Sequence, residues 1–523
     1  MHRLAVALTT LLALTAATYL AGYLFLFSGS TDRAAGLAPA STAAYVTVYL
    51  EPSAGQQMNL VGLIGRLPGF ADEASIDQKI DEVAQNLLAN TGIDYRTDLK
   101  PWLGNQVSAA AWFTDDSAAV QQAVLIFAAR DPAAAQSALE AFVERGGGTV
   151  DQESHRDVAV HVGPTVAWAL VDESIVLSAT ADAIRVVVDT SIDGEDLAAR
   201  DDFSAAMDGL PSDHLAAAFL DLAALGEGMG AAGAPADLTT AAAALVAEAD
   251  GLRLSGNLAL PADQPSGSPM ATAAPDARTD SLAVWMPDDT VAEVVISGLG
   301  GLLIEAQSAA SGVPEGQQLV DAIDTLRVAA ALGFGISLDE DILPLFDREA
   351  ALALSGVQDG MPRGQLLLRP DDVGAAMATL EEIATGLVDN AGATRETETV
   401  AGAEIVTLSV PQLGELAFTS VEDVVILGLT ADDVAAAVEA HADGSSLGAG
   451  GAYDRAFALA GEGAPNEAYV DPEALLELLG VAQTLPDDAR AILARLGAFG
   501  MTAEPRSDHI EFHAVLTIGE AAE

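Results

Sequence analysis

The sequence predicts an α+β chain: an N-terminal transmembrane helix followed by two tandem repeats of a mixed, mainly antiparallel sheet with packed helices. Three observations lead there. Leu4 to Phe27 is a run without a charged residue, a set of landmarks in the first half recurs in the same order in the second, and both halves alternate short apolar strands with helices opened by Asp or Thr. Strands punctuated by capped helices are the pattern of antiparallel sheets covered by helices.

The leader comes first. As a helix, Leu4 to Phe27 would be about 36 Å long at 1.5 Å per residue, enough for a hydrocarbon core of about 30 Å. Arg3 marks the cytoplasmic end, and Tyr19 and Tyr23 suit the far lipid boundary. The expectation is a membrane anchor or signal segment over residues 1–30, with the bulk of the chain outside the cytoplasm. Cleavage near Ser28-Gly29-Ser30 is the rival reading and makes the product secreted. Residues 31–41, rich in small residues, read as a tether.

The repeat follows, over 42–260 and 280–523. Asp98-Leu99 and Pro101 align with Asp341-Ile342 and Pro344, each ahead of a strand of small and apolar residues. The strand Ala123 to Phe127 runs into Arg130-Asp131-Pro132, and Gln365 to Leu368 into Arg369-Pro370-Asp371, where Asp and Pro suit a helix start. Val171-Asp172-Glu173-Ser174-Ile175-Val176-Leu177 matches Val421-Glu422-Asp423-Val424-Val425-Ile426-Leu427, a hairpin with two acids at its tip. Thr180 and Thr430 then cap a helix, Phe203 and Tyr453 stand at the same offset, and a strand ends in Phe219-Leu220-Asp221 or Tyr469-Val470-Asp471. Val373, Met377, Leu380, Ile383 and Leu387 keep the helical period, so they form one buried face. Between the copies, 261–279 has linker composition.

Composition excludes some functions. Half of the residues are hydrophobic, so the chain can build cores. Its formal charge of −55, with Lys79 and Lys100 as its lysines, excludes nucleic acid, whose phosphates need clustered cations. The acids keep the surface solvated and admit loosely held surface cations. Without cysteine, thiolate metal sites, thiol nucleophiles and disulfides are ruled out.

Three segments carry a resemblance: Pro39-Ala40-Ser41-Thr42-Ala43-Ala44-Tyr45-Val46, then Asp98-Leu99-Lys100-Pro101-Trp102-Leu103-Gly104, then Ala181-Asp182-Ala183-Ile184. With these the sequence resembles a family of exported bacterial proteins defined by domain of unknown function 3352. The second copy departs from it, with Leu345-Phe346-Asp347 where Trp102-Leu103-Gly104 stands. The resemblance implies an extracytoplasmic protein and supplies no catalytic residue.

Chemistry is sparse. His509, Glu511 and His513 alternate along a strand and share one face, the residue types of an open zinc site. At about 3.4 Å per residue they span nearly 14 Å, too far for one ion on a regular strand, so an exposed polar face is preferred. The acids Asp193 to Asp196 with Asp201 and Asp202 lack an EF-hand register. Trp102, Trp112, Trp168 and Trp285 read as core, and no cofactor is expected. The favoured function is a non-enzymatic envelope binding or scaffold protein, with an envelope component or protein as partner and the membrane reached through the N-terminal helix. The alternative is an extracytoplasmic hydrolase or metal-dependent enzyme whose site is assembled from distant residues.

Overall fold

The computed structural model describes residues 27–28, 32–68, 81, 85, 94–113, 120–229, 238–261, 281–311, 317–334, 336–358, 361–411 and 414–519. Two compact units are present, Met1–Asp263 with Asp508–Glu511 and Glu520–Glu523, and Gln264–Ser507 with Phe512–Gly519.

The strands of the first unit are β1 (Phe27–Ser28), β2 (Thr42–Glu51), β3 (Leu103–Phe113), β4 (Val120–Ala129), β5 (Asp151–His155), β6 (Val158–Val162), β7 (Ala167–Val171), β8 (Ser174–Ser178), β9 (Ala216–Asp221), β10 (Thr240–Ala247) and β11 (Gly251–Ala259). They lie in the order β5-β6-β7-β8-β4-β3-β2-β9-β10-β11, every pair antiparallel. The second unit carries β12 (Ala292–Ser297), β13 (Glu349–Gln358), β14 (Met361–Arg369), β15 (Thr394–Val400), β16 (Ala403–Val410), β17 (Gly414–Val421), β18 (Val424–Gly428), β19 (Asn466–Val470), β20 (Leu496–Pro505) and, from Phe512 on, β21 (His509–Ile518). Its order, β15-β16-β17-β18-β14-β13-β12-β19-β20, retraces the first unit's from β5 to β10.

Local chemistry explains the shared elements. The tip residues Asp172 and Glu173 have φ of 45° and 64°, the left-handed pair that a two-residue hairpin turn needs, and Glu422 stands at 53° in the second unit. Thr180 and Thr430 accept from the backbone N–H of Ala183 and Asp433, so each caps the following helix. Asp131 caps 132–145, and Asp372, one residue beyond the expected Asp371, caps 373–391.

Around its hairpin strands each sheet is covered on both faces. In the first unit Val176 joins a core with Ile184, Val187 and Phe203 under the helices 181–193 and 201–208, while its neighbour Ile175 joins Trp102, Leu139, Val143 and Trp168 under the helix 132–145. The second unit sends Ile426 to a core with Val434, Val438 and Tyr453, and Val425 to one with Leu380 and Phe418. Successive strand residues point to opposite faces, so a sheet with two covers buries both. The expected helix face holds, with Leu380 buried and Val373, Met377, Ile383 and Leu387 packed beside it.

The N-terminal expectation needs correction. No helix among the described residues is long and apolar enough to cross a membrane. Residues 4–26 lie outside the described residues, and Phe27, the end of the expected span, is in β1, parallel to β2 with Leu50 as its partner. The expected transmembrane helix and signal anchor are therefore not borne out by the described residues. Apolar and aromatic residues such as those ending this run suit a strand as well as a helix, and strand pairing claims Phe27. The tether also differs from expectation: Ala34, Ala35, Leu37 and Ala38 are buried in the first core. Of the linker 261–279, only Pro261 is among the described residues.

Candidate functional site

Both units bury a tyrosine–carboxylate cluster at corresponding strand pairs. In the first, Tyr45 on β2 faces Phe219 on β9, and in the second, Glu293 on β12 faces Tyr469 on β19. Phe203 packs edge-on against Tyr45 and Phe219, and Tyr453, the helix residue at the matching place, lies 5.6 Å from Tyr469.

The first cluster is centred on Asp32. The Tyr45 hydroxyl donates to its Oδ1 and Oδ2 at 2.7 and 2.9 Å, and the backbone N–H groups of Ala34 and Ala35 donate to Oδ1 at 3.1 and 3.3 Å. Gln106 Nε2 donates both to Asp32 Oδ1 and to Thr47 Oγ1. Burial raises the Asp32 carboxyl above its ordinary value, and the hydrogen bonds from Tyr45, Gln106, Ala35 and Ala34 oppose that shift. Burial and then the Asp32 charge push the Tyr45 phenol well above its ordinary value, which leaves it a hydrogen-bond donor.

In the second cluster the Tyr453 hydroxyl donates to Glu467 Oε2 at 3.2 Å and lies 3.2 Å from Ser281 Oγ. Glu293 and Glu467 are 1% and 5% exposed, so two carboxylates sit inside the sheet–helix core. Burial first, then the Glu293 and Glu467 charges, raise the Tyr453 phenol far above its usual range. The second unit also buries a charge pair: Arg369, opposite Glu349 in the β13–β14 ladder, contacts Glu349 at 2.7 Å and Asp423 at 2.8 Å. The Tyr453–Glu467 bond and the Arg369–Glu349 and Arg369–Asp423 contacts tie packed elements together.

The outer face of the second sheet is different in kind. Along β12 the residues facing the core are Glu293, Val295 and Ser297, all buried, whereas Ala292, Val294 and Ile296 face out. In β19 Glu467 and Tyr469 are buried and Ala468 and Val470 are not, and in β20 Thr502 is buried while Met501 is exposed. Here acids share the buried side with Val295 and Tyr469 while apolar residues face out, against the usual alternation. Leu352, Val294, Ala468 and Met501 are directly paired across four neighbouring strands. Leu352, Val294 and Met501 are 62%, 45% and 37% exposed. The helix 373–391 covers the adjoining part of this face, over Leu366, Leu368 and Leu427.

Comparison with known proteins then places the chain. The sequence pattern of a family described as a protein of unknown function, DUF3352, matches residues 4–517. The chain belongs to the DUF3352 family. No curated protein matches it. Among solved structures it is similar to TP0453: 12% identity over 44% of this chain and 81% of that one in crystal form IV, with a TM-score of 0.24. Crystal form III gives 10% identity over 48% and 90%, with a TM-score of 0.25. Likeness at that level carries no inference about this chain.

In this DUF3352 chain the sequence-derived candidates are dispersed. His509, Glu511 and His513 lie on β21, with His509 Nδ1 2.8 Å from Asp508 Oδ1. Among the described residues no group of three or more His, Asp or Glu is placed to hold a metal ion. In the acidic loop, Asp193 is bound by Arg156 and Asp202 by Arg200, and both carboxyls are held below their ordinary values chiefly by those hydrogen bonds. Trp102, Trp112, Trp168 and Trp285 are buried. Sequence reasoning missed Glu293, Glu467 and the apolar outer row. Their strands, such as Ala292 to Ser297, mix acids and aliphatics in an alternation that leaves open which set faces the core.

Proposed function

We propose that this chain is a non-enzymatic binding protein of the cell envelope that acts outside the cytoplasm and engages its partner through the outer face of the second sheet. The observation that carries the reading is the row Leu352, Val294, Ala468, Met501, apolar and outward on strands whose acids are turned inward. Placing apolar side chains in water while acids occupy the core costs stability, and a bound partner that covers the row would offset that cost. The extracytoplasmic location rests on the family resemblance of the segments around Tyr45, Trp102 and Ile184.

Two experiments test it. A photoreactive phenylalanine analogue replacing Leu352, in the full-length protein in its own cells, gives a discrete adduct that the same analogue at exposed Glu173 does not. Equal labelling at both positions, or none at Leu352, removes the binding reading. A reporter that is active only outside the cytoplasm, fused after Glu523, is active, and its silence removes the location.

A further inference from the structure

We infer that the partner of the outer face of the second sheet is an amphipathic helix whose apolar stripe is flanked by Lys or Arg. The inference rests on the binding reading above and adds the chemistry of the partner. Size gives the first argument. Four strands about 4.8 Å apart make the row Leu352 to Met501 roughly 14 Å wide, and Ala292, Val294 and Ile296 extend it roughly 14 Å along β12. Such a patch is on the order of 200 Å², against about 800 Å² per partner in a standard interface between folded proteins. A single helix, about 10 Å across and advancing 1.5 Å per residue, covers it in about three turns.

Charge gives the second argument. The outward positions on β12, β13, β19 and β20 around the row, namely Ala292, Ile296, Leu354, Val470, Phe499 and Ala503, carry no charge, so recognition at the centre is by apolar contact. At the end of the patch where β12 begins and β19 ends, the chain supplies Asp288, Asp289, Asp471 and Glu473. With a net charge of −55, a second copy of this chain or an anionic partner is repelled and a cationic one is drawn in. An apolar centre with an acidic end calls for leucine-like side chains at helical spacing and basic residues beside them.

The test is a fluorescence-anisotropy titration of the full-length protein with a labelled 14-residue helix carrying Leu at helical spacing and Lys elsewhere. It is compared with a scrambled peptide of equal composition, with the Leu/Glu version, and with neutral phosphatidylcholine vesicles. The Leu/Lys helix binds at least tenfold more tightly than either other peptide, and Val294→Lys with Leu352→Lys weakens it at least tenfold, while Glu173→Lys leaves it unchanged. Should the double variant lose its circular-dichroism signature, Leu352→Ala replaces it and weakens binding several-fold. Equal binding of the scrambled peptide, indifference to Leu352→Ala, or uptake of the protein by the vesicles through Leu352 without peptide binding each overturns the helix as partner. A discrete crosslink at Leu352 in cells together with failed peptide binding would leave the binding reading standing and remove only this partner.

Discussion

The Tyr45 hydroxyl bridges both carboxylate oxygens of Asp32, at 2.7 and 2.9 Å, and ties the segment before β2 to the first sheet. Replacing Tyr45 with Phe leaves a half-buried carboxylate short of a donor, and the expected cost is about 1–3 kcal/mol in urea unfolding of the first unit. An unchanged midpoint would show that the bridge adds nothing.

Asp32 also sets a pH dependence. Its folded value lies above the ordinary 3.8, so its contribution is most favourable below that value and is lost as pH rises through the raised folded one. Asp32→Asn lacks this titration. The stability of the natural protein relative to that variant therefore falls as pH rises above the ordinary 3.8, as read from paired urea midpoints. A rise over that range would contradict the assignment.

The hairpins separate core from surface. Ile175 and Val425 are fully buried, so Ile175→Asp or Val425→Asp costs several kcal/mol and unfolds its unit. At the tips the two copies differ. Glu173 is exposed with Arg33 3.6 Å away, whereas Asp423 contacts the buried Arg369 at 2.8 Å. Glu173→Ala stays within about 0.5 kcal/mol, and Asp423→Ala costs about 1 kcal/mol or more, by thermal or urea unfolding. Equal effects would show the Arg369 contact to be idle.

A glycine fixes the spacing of β13 and β14. A Cβ at Gly364 would stand 2.0 Å from the Ala353 carbonyl oxygen, beside the register shift between Leu354 and Gly356. Gly364→Ala must spread the two strands, at about 1–3 kcal/mol by analogy with overpacked cores. A stable variant with unchanged unfolding would show that the ladder opens freely there.

The hairpins and caps were legible because their signals are local: two acids between apolar runs, and Thr or Asp ahead of an apolar period. Ile175 and Val425, in those apolar runs, are fully buried. Their neighbours Val176 and Ile426 are equally buried, which one-sided alternation does not announce, since the second cover comes from helices distant in the chain. Asp32 read as tether because its partners Tyr45 and Gln106 meet it only in the folded sheet. Glu293 and Glu467 look like solvent-facing acids in sequence. Only the placement of Tyr453 and Ser281 in the second cluster shows them turned inward, with Val294 and Met501 left outside.

The central claim, that the outer row serves binding rather than folding, is tested most directly by Leu352→Lys, measuring unfolding free energy alongside crosslinking from Met501 in cells. The exposed position predicts a stability within about 0.5 kcal/mol of the natural protein, together with loss of the crosslinked adduct. Unfolding of the second unit, or an adduct that persists undiminished, would contradict the account.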